Sequence, residues 1–331
     1  MAWDVLIIGC GAIAGGYDAE LSPDDWPLSH AGAIARDDRF GIAACIDPDK
    51  AARDAFRARW NVPRAGSGFD DLNASPGDFD VIVIASPTPL HAEHLEAALA
   101  MRPRAVFCEK PLARDIAQAA AIAARYGDEG IPLAVDYTRR WAPDLAELAQ
   151  QIEAGWWGEL IAGNGTYTKG VVHNGSHLFD LMHMMIGAVE LHGIGPARLD
   201  HWEDDPSVSA MLVAENGAPV HLIAGDARAV TQFELNLSFE KGEIAMRDGG
   251  MRIETRRAVD SPTYAGYRQL GPPESVPGRY REAMARAWAH IADAISTGAP
   301  LSGNPATALA AQRLCEDIRI QALETLRKDS A

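Results

Sequence analysis

The chain has 331 residues, a formal net charge of −16 at pH 7, 47% hydrophobic and 23% charged residues. That length suits two domains with a sizeable core, and the composition excludes wholesale disorder. The negative charge excludes a broad surface for nucleic acid or anionic lipid, while leaving room for a local basic pocket.

The chain starts with a short apolar run, residues 5–8 (VLII), that leads straight into glycines and reads as a strand rather than a leader. Further apolar runs, rich in β-branched residues, fall at 42–46, 81–85, 105–108 and 132–135. Runs without polar alternation suit strands buried on both faces of a parallel sheet. Helix-like stretches at 91–101 and 116–126 lie between them and complete a βαβ rhythm. Residues 1–138 are therefore expected to form an α/β, doubly wound Rossmann domain.

From 139 to 331 the rhythm changes. A helix at 144–153 precedes a strand at 161–168 and a helix at 176–185. Strands follow at 208–214, 220–224, 233–239 and 244–246, with tight turns at Glu215-Asn216-Gly217 and Lys241-Gly242. Helices at 280–296 and 305–326 close the chain, the last with Asn304 as N-cap and Pro305 in its first turn. This reads as a second α/β domain with a largely antiparallel open sheet, its last helix able to pack back on the first domain. No stretch approaches the roughly 20 apolar residues of a membrane-spanning helix. Cys10, Cys45, Cys108 and Cys315 lack metal-ligand spacing and are expected as buried thiols in a reducing cytoplasm.

The strongest local signal is Gly9-Cys10-Gly11-Ala12-Ile13-Ala14, a G-x-G-x-x-A element directly after the first strand. Gly9 allows the tight turn, Gly11 lets the backbone approach a pyrophosphate, and Ala14 lets a helix pack close to the strand. The following helix would offer its N–H groups to the phosphates. Asp47 ends the second strand, where a carboxylate accepts the ribose hydroxyls and repels a 2′-phosphate; this favours NAD(H) over NADP. Two alternatives stay open at this point. Asp47-Pro48-Asp49 could simply cap the next helix, and Lys50 and Arg53 could tolerate NADP. Asp47 also lies farther from the glycines than the usual spacing of about 20 residues. The excess falls at about 16–28, whose prolines and acidic residues forbid a continuous helix. It is expected to be an insertion at the cofactor mouth, either a solvated loop or a lid, with the helix resuming at 30–35.

Several further motifs resemble the Gfo/Idh/MocA family of NAD(P)-dependent sugar and cyclitol oxidoreductases. Ser86-Pro87-Thr88-Pro89-Leu90-His91 is similar to its T-P-N-x-x-H segment, and Glu109-Lys110-Pro111 matches its E-K-P motif without change. Tyr137-Thr138-Arg139-Arg140 resembles the end of its first domain. Gly155-Trp156-Trp157-Gly158-Glu159 resembles the turn opening its second. Gly175-Ser176-His177-Leu178-Phe179-Asp180 resembles its D-x-G-x-H-x-x-D element.

The resemblance implies reversible hydride transfer between the nicotinamide and a carbinol carbon of a sugar-like substrate, possible nucleotide sugars included. It also implies a homo-oligomer, dimer or tetramer, built through the second sheet. Lys110 and His177 become the catalytic candidates: both can exchange a proton with a substrate oxygen. The cofactor set comprises Gly9, Gly11, Ala12, Ile13, Ala14, Asp47, Ser86, Pro87, Thr88, His91, Glu109 and Lys110. Arg140, Tyr167, Lys169, His173, Asn174 and His177 join Lys110 as candidate substrate contacts. His173 stands where many members carry Asp. Its spacing from His177 would suit zinc, but no third ligand accompanies them and no metal is expected. Competing readings are a non-catalytic NAD-dependent sensor, or a lyase or hydrolase using NAD transiently.

Overall fold

β-Branched, apolar residues without polar alternation form strands here because both faces are covered. In the computed structural model, which describes residues 2–22 and 24–329, they give β1 (Trp3–Ile8), β2 (Phe40–Ile46), a short β3 (Arg64–Gly66), β4 (Val81–Ile84), β5 (Ala105–Glu109) and β6 (Leu133–Asp136). All are parallel, in the order β3-β2-β1-β4-β5-β6. Val5, Leu6, Ile7 and residues 81–84 are wholly buried. Strand order reverses between β1 and β4, and such a reversal opens a crevice beyond the strands' C-terminal ends. The crossovers carry α1 (His30–Ile34), α2 (Lys50–Trp60), α3 (His91–Ala100) and α4 (Ile116–Asp128).

The second half supplies α5 (Pro143–Glu153), β7 (Leu160–Tyr167), α6 (Ser176–Ile186), β8 (Val189–Arg198), β9 (Ser207–Ala214), β10 (Pro219–Ala224), β11 (Phe233–Phe239), β12 (Gly242–Arg247), β13 (Arg252–Asp260), β14 (Arg268–Leu270) and β15 (Glu274–Pro277). The sheet order is β14-β13-β12-β11-β7-β10-β9-β8, with β15 on β13. Every pairing is antiparallel except β10 with β7. β11 shows the one-sided pattern: Phe233, Leu235, Leu237 and Phe239 are buried, with Glu234, Asn236 and Ser238 between them. β8 and β13–β15 carried no sequence signal. Two register shifts and a proline interrupt β8, and β13 is largely charged, so neither shows clean alternation.

The chain closes with α7 (Ala283–Thr297) and α8 (Pro305–Asp329). Asn304 Oδ1 accepts from the backbone N–H groups of Ala306 and Thr307 at 3.0 and 3.2 Å, the N-cap read from sequence. Two compact units result: residues through 141 with 281–309, and 142–280 with the residues from 310 onward. α7 thus belongs to the first unit, where Trp288 is fully buried against Phe40 and Phe107. All four cysteines are buried thiols outside any disulfide. Among the described residues, no helix is long and apolar enough to cross a membrane.

Candidate active site

The first unit builds its site from strand ends. Gly9 has φ +94°, and a Cβ there would lie 2.6 Å from the Ala85 carbonyl. Only glycine lets the end of β1 close against the end of β4. Gly11 has nothing within 4 Å of its would-be Cβ, so its backbone is open to a bulky group, whereas Ala14 is fully buried. These are the properties a pyrophosphate-binding turn requires.

The expected helix does not run on from this turn. Gly16 and Tyr17 donate back to Gly11 and Ala12 in a single irregular turn, and the chain then leaves. It returns at α1, where the His30 and Ala31 N–H groups bond the carbonyls of Ile13 and Ala14 at 3.1 and 2.8 Å. One helix is thus spliced from two segments, with the intervening loop ejected. Pro23, within the insertion read from sequence, lies outside the described residues.

Asp18 clips the splice. Its buried carboxylate accepts from Leu28 N (2.8 Å), Ser29 N (3.0 Å) and Ser29 Oγ (2.6 Å). Ser29 in turn caps α1 through Gly32 N.

Of the two acidic residues, Asp49 and not Asp47 is the helix cap. Asp49 caps α2, accepting from Ala51 and Ala52. The Asp47 carboxylate instead accepts from Cys10 N inside the glycine turn at 2.8 Å, and from Asp49 N at 2.8 Å. The carboxylate is therefore fixed at the rim of the turn. Lys50 pairs with Asp54, and Arg53 bonds the Asp47 carbonyl.

His91, expected at the cofactor, has both ring nitrogens facing backbone carbonyls. It is buried, with Nδ1 2.7 Å from the Pro111 carbonyl and Nε2 2.8 Å from that of Ser86. It ties the loop after β4 to the loop after β5. Ser86 is also buried, its hydroxyl 2.8 Å from His94 Nδ1. In the sequence-derived set, Pro87, Gly11 and Ala12 are exposed, and Ile13 and Thr88 are half-buried.

Glu109 ends β5, and half-buried Lys110 follows it. Glu109 lies opposite Asp136 in the β5–β6 register, and its Oε1 is 3.2 Å from Nε2 of fully buried His30. Burial pushes the Glu109 carboxyl up to about 7, against the opposing pull of Lys110. Burial and then the Glu109 charge push Asp136 up to about 8. Burial holds the His30 imidazole down at about 4, so it is neutral near pH 7. These three are, among the described residues, the group whose His, Cys, Asp or Glu ligand atoms come within 4.8 Å of one another.

The second unit holds the remaining candidates. Tyr167, expected at the substrate, is fully buried, and its hydroxyl both donates to and accepts from the Val208 backbone (2.8 and 2.9 Å). Asn174 Nδ2 donates to the Thr168 carbonyl at 2.9 Å, a bond that shapes the loop. His173 is exposed, its ring 5.2 Å from that of Trp202.

Lys169 adopts φ +67°, an unfavourable conformation for a lysine. Its N–H is held by Asp200 at 3.0 Å, and the Val172 and His173 N–H groups by Asp205 at 2.9 and 2.8 Å. His177 stands half-buried in the first turn of α6, with Asp180 buried beyond it. Arg140, in the first unit, is buried.

Sequence reading missed His30, Asp136, Asp200 and Asp205. Only Asp136 carried a signal, as an acidic residue directly ending an apolar strand. The others sit in or beside loops whose partners are remote in sequence.

A family profile described as "Oxidoreductase family, NAD-binding Rossmann fold" matches residues 3–137. An inositol 2-dehydrogenase of Mycolicibacterium smegmatis is 40% identical over 123 residues, 37% of this chain and 35% of that protein. Another, of Rhizobium meliloti, is 25% identical over 313 residues, 87% of this chain and 91% of that protein. The crystal structure of an NAD-binding oxidoreductase from Klebsiella pneumoniae superposes with a TM-score of 0.78 at 19% identity, covering 97% of each chain. At that identity the likeness is one of fold.

Proposed function

We propose that the chain belongs, through its first domain, to the Gfo/Idh/MocA oxidoreductases and that it is an NAD-binding enzyme oxidising a CH–OH group of a sugar or cyclitol. The observation that carries this reading lies within one sheet. The glycine turn after β1, with Asp47 locked to Cys10 N–H, and the Glu109-Lys110 step after β5 both stand at C-terminal strand ends beside the β1–β4 reversal.

Gly9, Gly11 and Asp47 would hold NAD(H) by the turn and the ribose, and the open space over Gly11 fits that role. Bound NAD+ supplies the hydride acceptor. Lys110 hydrogen-bonds the substrate hydroxyl and takes its proton as the carbonyl forms. His177 is the second proton-exchanging residue. Lys169 and Arg140 are the proposed contacts for anionic substrate groups, and a nucleotide-activated sugar is one substrate they would suit. Asp47 favours NAD over NADP. A homo-oligomer through the second sheet completes the proposal.

The test is NADH formation across a panel of free sugars, cyclitols and nucleotide sugars. With an active substrate, Lys110→Ala lowers kcat by roughly 10²–10⁴-fold, the contribution of a positioned acid–base group. NAD dissociation constants stay unchanged. Near-normal turnover in Lys110→Ala refutes the assignment. Product formed without net NADH supports transient redox, and no turnover with any sugar supports the sensor.

A further inference from the structure

Behind Lys110 the first unit holds a buried carboxyl group, Asp136, beside a half-buried one, Glu109, and the hydride-transfer chemistry does not itself require the pair. The β5–β6 register sets Glu109 and Asp136 side by side at the strand ends. Asp136 is 1% exposed; its Oδ1 accepts from Thr138 Oγ1 at 2.8 Å, while Oδ2 reaches no donor among the described residues. Glu109 takes one contact from His30 Nε2. The His30 ring is walled by Phe107 and Trp288, with centroids 4.8 and 6.1 Å away, and its Nδ1 is likewise without a partner among the described residues.

Two adjacent carboxylates in so dry a wall cannot both remain ionised, because like charges at close range strongly favour retaining one proton. A neutral imidazole supplies an N–H but no countercharge. The orphaned Asp136 oxygen and its acidic neighbour are reconciled by one proton between them.

We propose that Glu109 and Asp136 hold a single proton in common, steadied by His30, and that this pair is a positioning element fixing the charge beside Lys110. The kinetic part rests on the assignment of Lys110 as the proton-exchanging residue. Singly protonated, the pair carries one negative charge, which matches one ammonium. Loss of the shared proton adds a second charge and holds Lys110 in its protonated form. The groups facing the pair are Lys110, Cys108 within β5, His30 from α1 and the Thr138 hydroxyl; α7 contributes the apolar Trp288. Burial, and at Asp136 the neighbouring Glu109 charge, raise both carboxyls, Glu109 to about 7 and Asp136 to about 8.

Infrared spectroscopy of the folded, full-length protein tests the shared proton directly. At pH 7 the wild type should show a protonated-carboxyl C=O band that titrates away towards pH 8 and shifts on aspartate-selective carbon-13 labelling. Asp136→Asn should lose it, because the amide donates to Glu109 and leaves that carboxylate ionised. Asp205→Asn should retain it. In kinetics, the pH dependence of kcat between 6.5 and 8.5 should shrink by roughly tenfold in Asp136→Asn, the size of one lost ionisation across one unit. KM for NAD should not move.

If Asp136→Asn does not fold, Thr138→Val serves instead. It removes one hydrogen bond to the ionised form, so the band should persist to higher pH. No band at pH 7, a band that survives Asp136→Asn, a midpoint unmoved in Thr138→Val, or stoichiometric zinc on elemental analysis overturns the proposal. If Lys110→Ala turns over normally, the catalytic assignment fails while the infrared result still decides the shared proton.

Discussion

Gly32→Ala should change sign according to what occupies position 18. A Cβ at Gly32 would lie 1.7 Å from Asp18 Oδ2 and 2.7 Å from its Cγ, an impossible overlap, so the carboxylate must move. Moving it breaks the bonds to the Leu28 and Ser29 N–H groups and strands both donors. Hydrogen bonds to a charged group contribute about 1.5–3 kcal/mol each, so losing these two in Gly32→Ala should cost about 3–6 kcal/mol. Asp18→Ala breaks the same bonds and should cost about the same.

In the Asp18→Ala background the overlap is gone, leaving Cβ facing Cβ at about 3.3 Å. There Gly32→Ala should be near neutral, or stabilising by up to about 1 kcal/mol through helix propensity. Urea denaturation of the four proteins in the cycle, followed by circular dichroism, measures this. Each single mutant should also melt lower by about 2–4 °C per kcal/mol, the scale for a unit of this size. Additive effects within about 0.5 kcal/mol would refute the clipped-helix account, since uncoupled sites add.

Three further outcomes follow from the same geometry. Asp47→Ala should weaken NAD binding by roughly ten- to a hundredfold, the value of a charged hydrogen bond, with little loss for NADP; calorimetric titration showing an unchanged NAD/NADP ratio would contradict this. Tyr167→Phe should destabilise by about 1–3 kcal/mol, because the Val208 N–H and carbonyl lose their buried partner, while KM for the substrate stays constant. Stability should fall as pH rises from about 6.5 to 8. There the folded pair, with Glu109 raised to about 7 and Asp136 to about 8, still binds a proton that the unfolded carboxyls have lost. The unfolded His30 imidazole, near 6.5, still holds part of a proton at the lower end of that window while the folded one, at about 4, holds none, so it offsets part of the loss there and almost none towards pH 8. With one proton on the pair the slope is at most about 1.4 kcal/mol per unit, and a flat melting temperature over that range would count against the burial of the pair.

The sequence by itself determined the two-part α/β architecture. The six-stranded parallel sheet was legible because strands buried on both faces must be apolar throughout, and the glycine turn was legible because its backbone demands leave few residue choices. The short β3 and the bulged or charged β8 and β13 escaped because length and interrupted alternation erase the period-two pattern.

Sequence spacing marked an interruption after the glycines, but only the tertiary structure showed one helix spliced across it, since the bonds joining Ile13 to His30 and Ala14 to Ala31 leave no periodicity. The same holds at the site. Asp47 and Lys110 announce themselves by position at strand ends. His91 and Tyr167 look like ligand contacts in sequence and become internal struts once their hydrogen-bond partners are known. His30 and Asp136 acquire their meaning from the packing of α1 and β6 against Glu109, because burial and a neighbouring charge set what a titratable side chain can do.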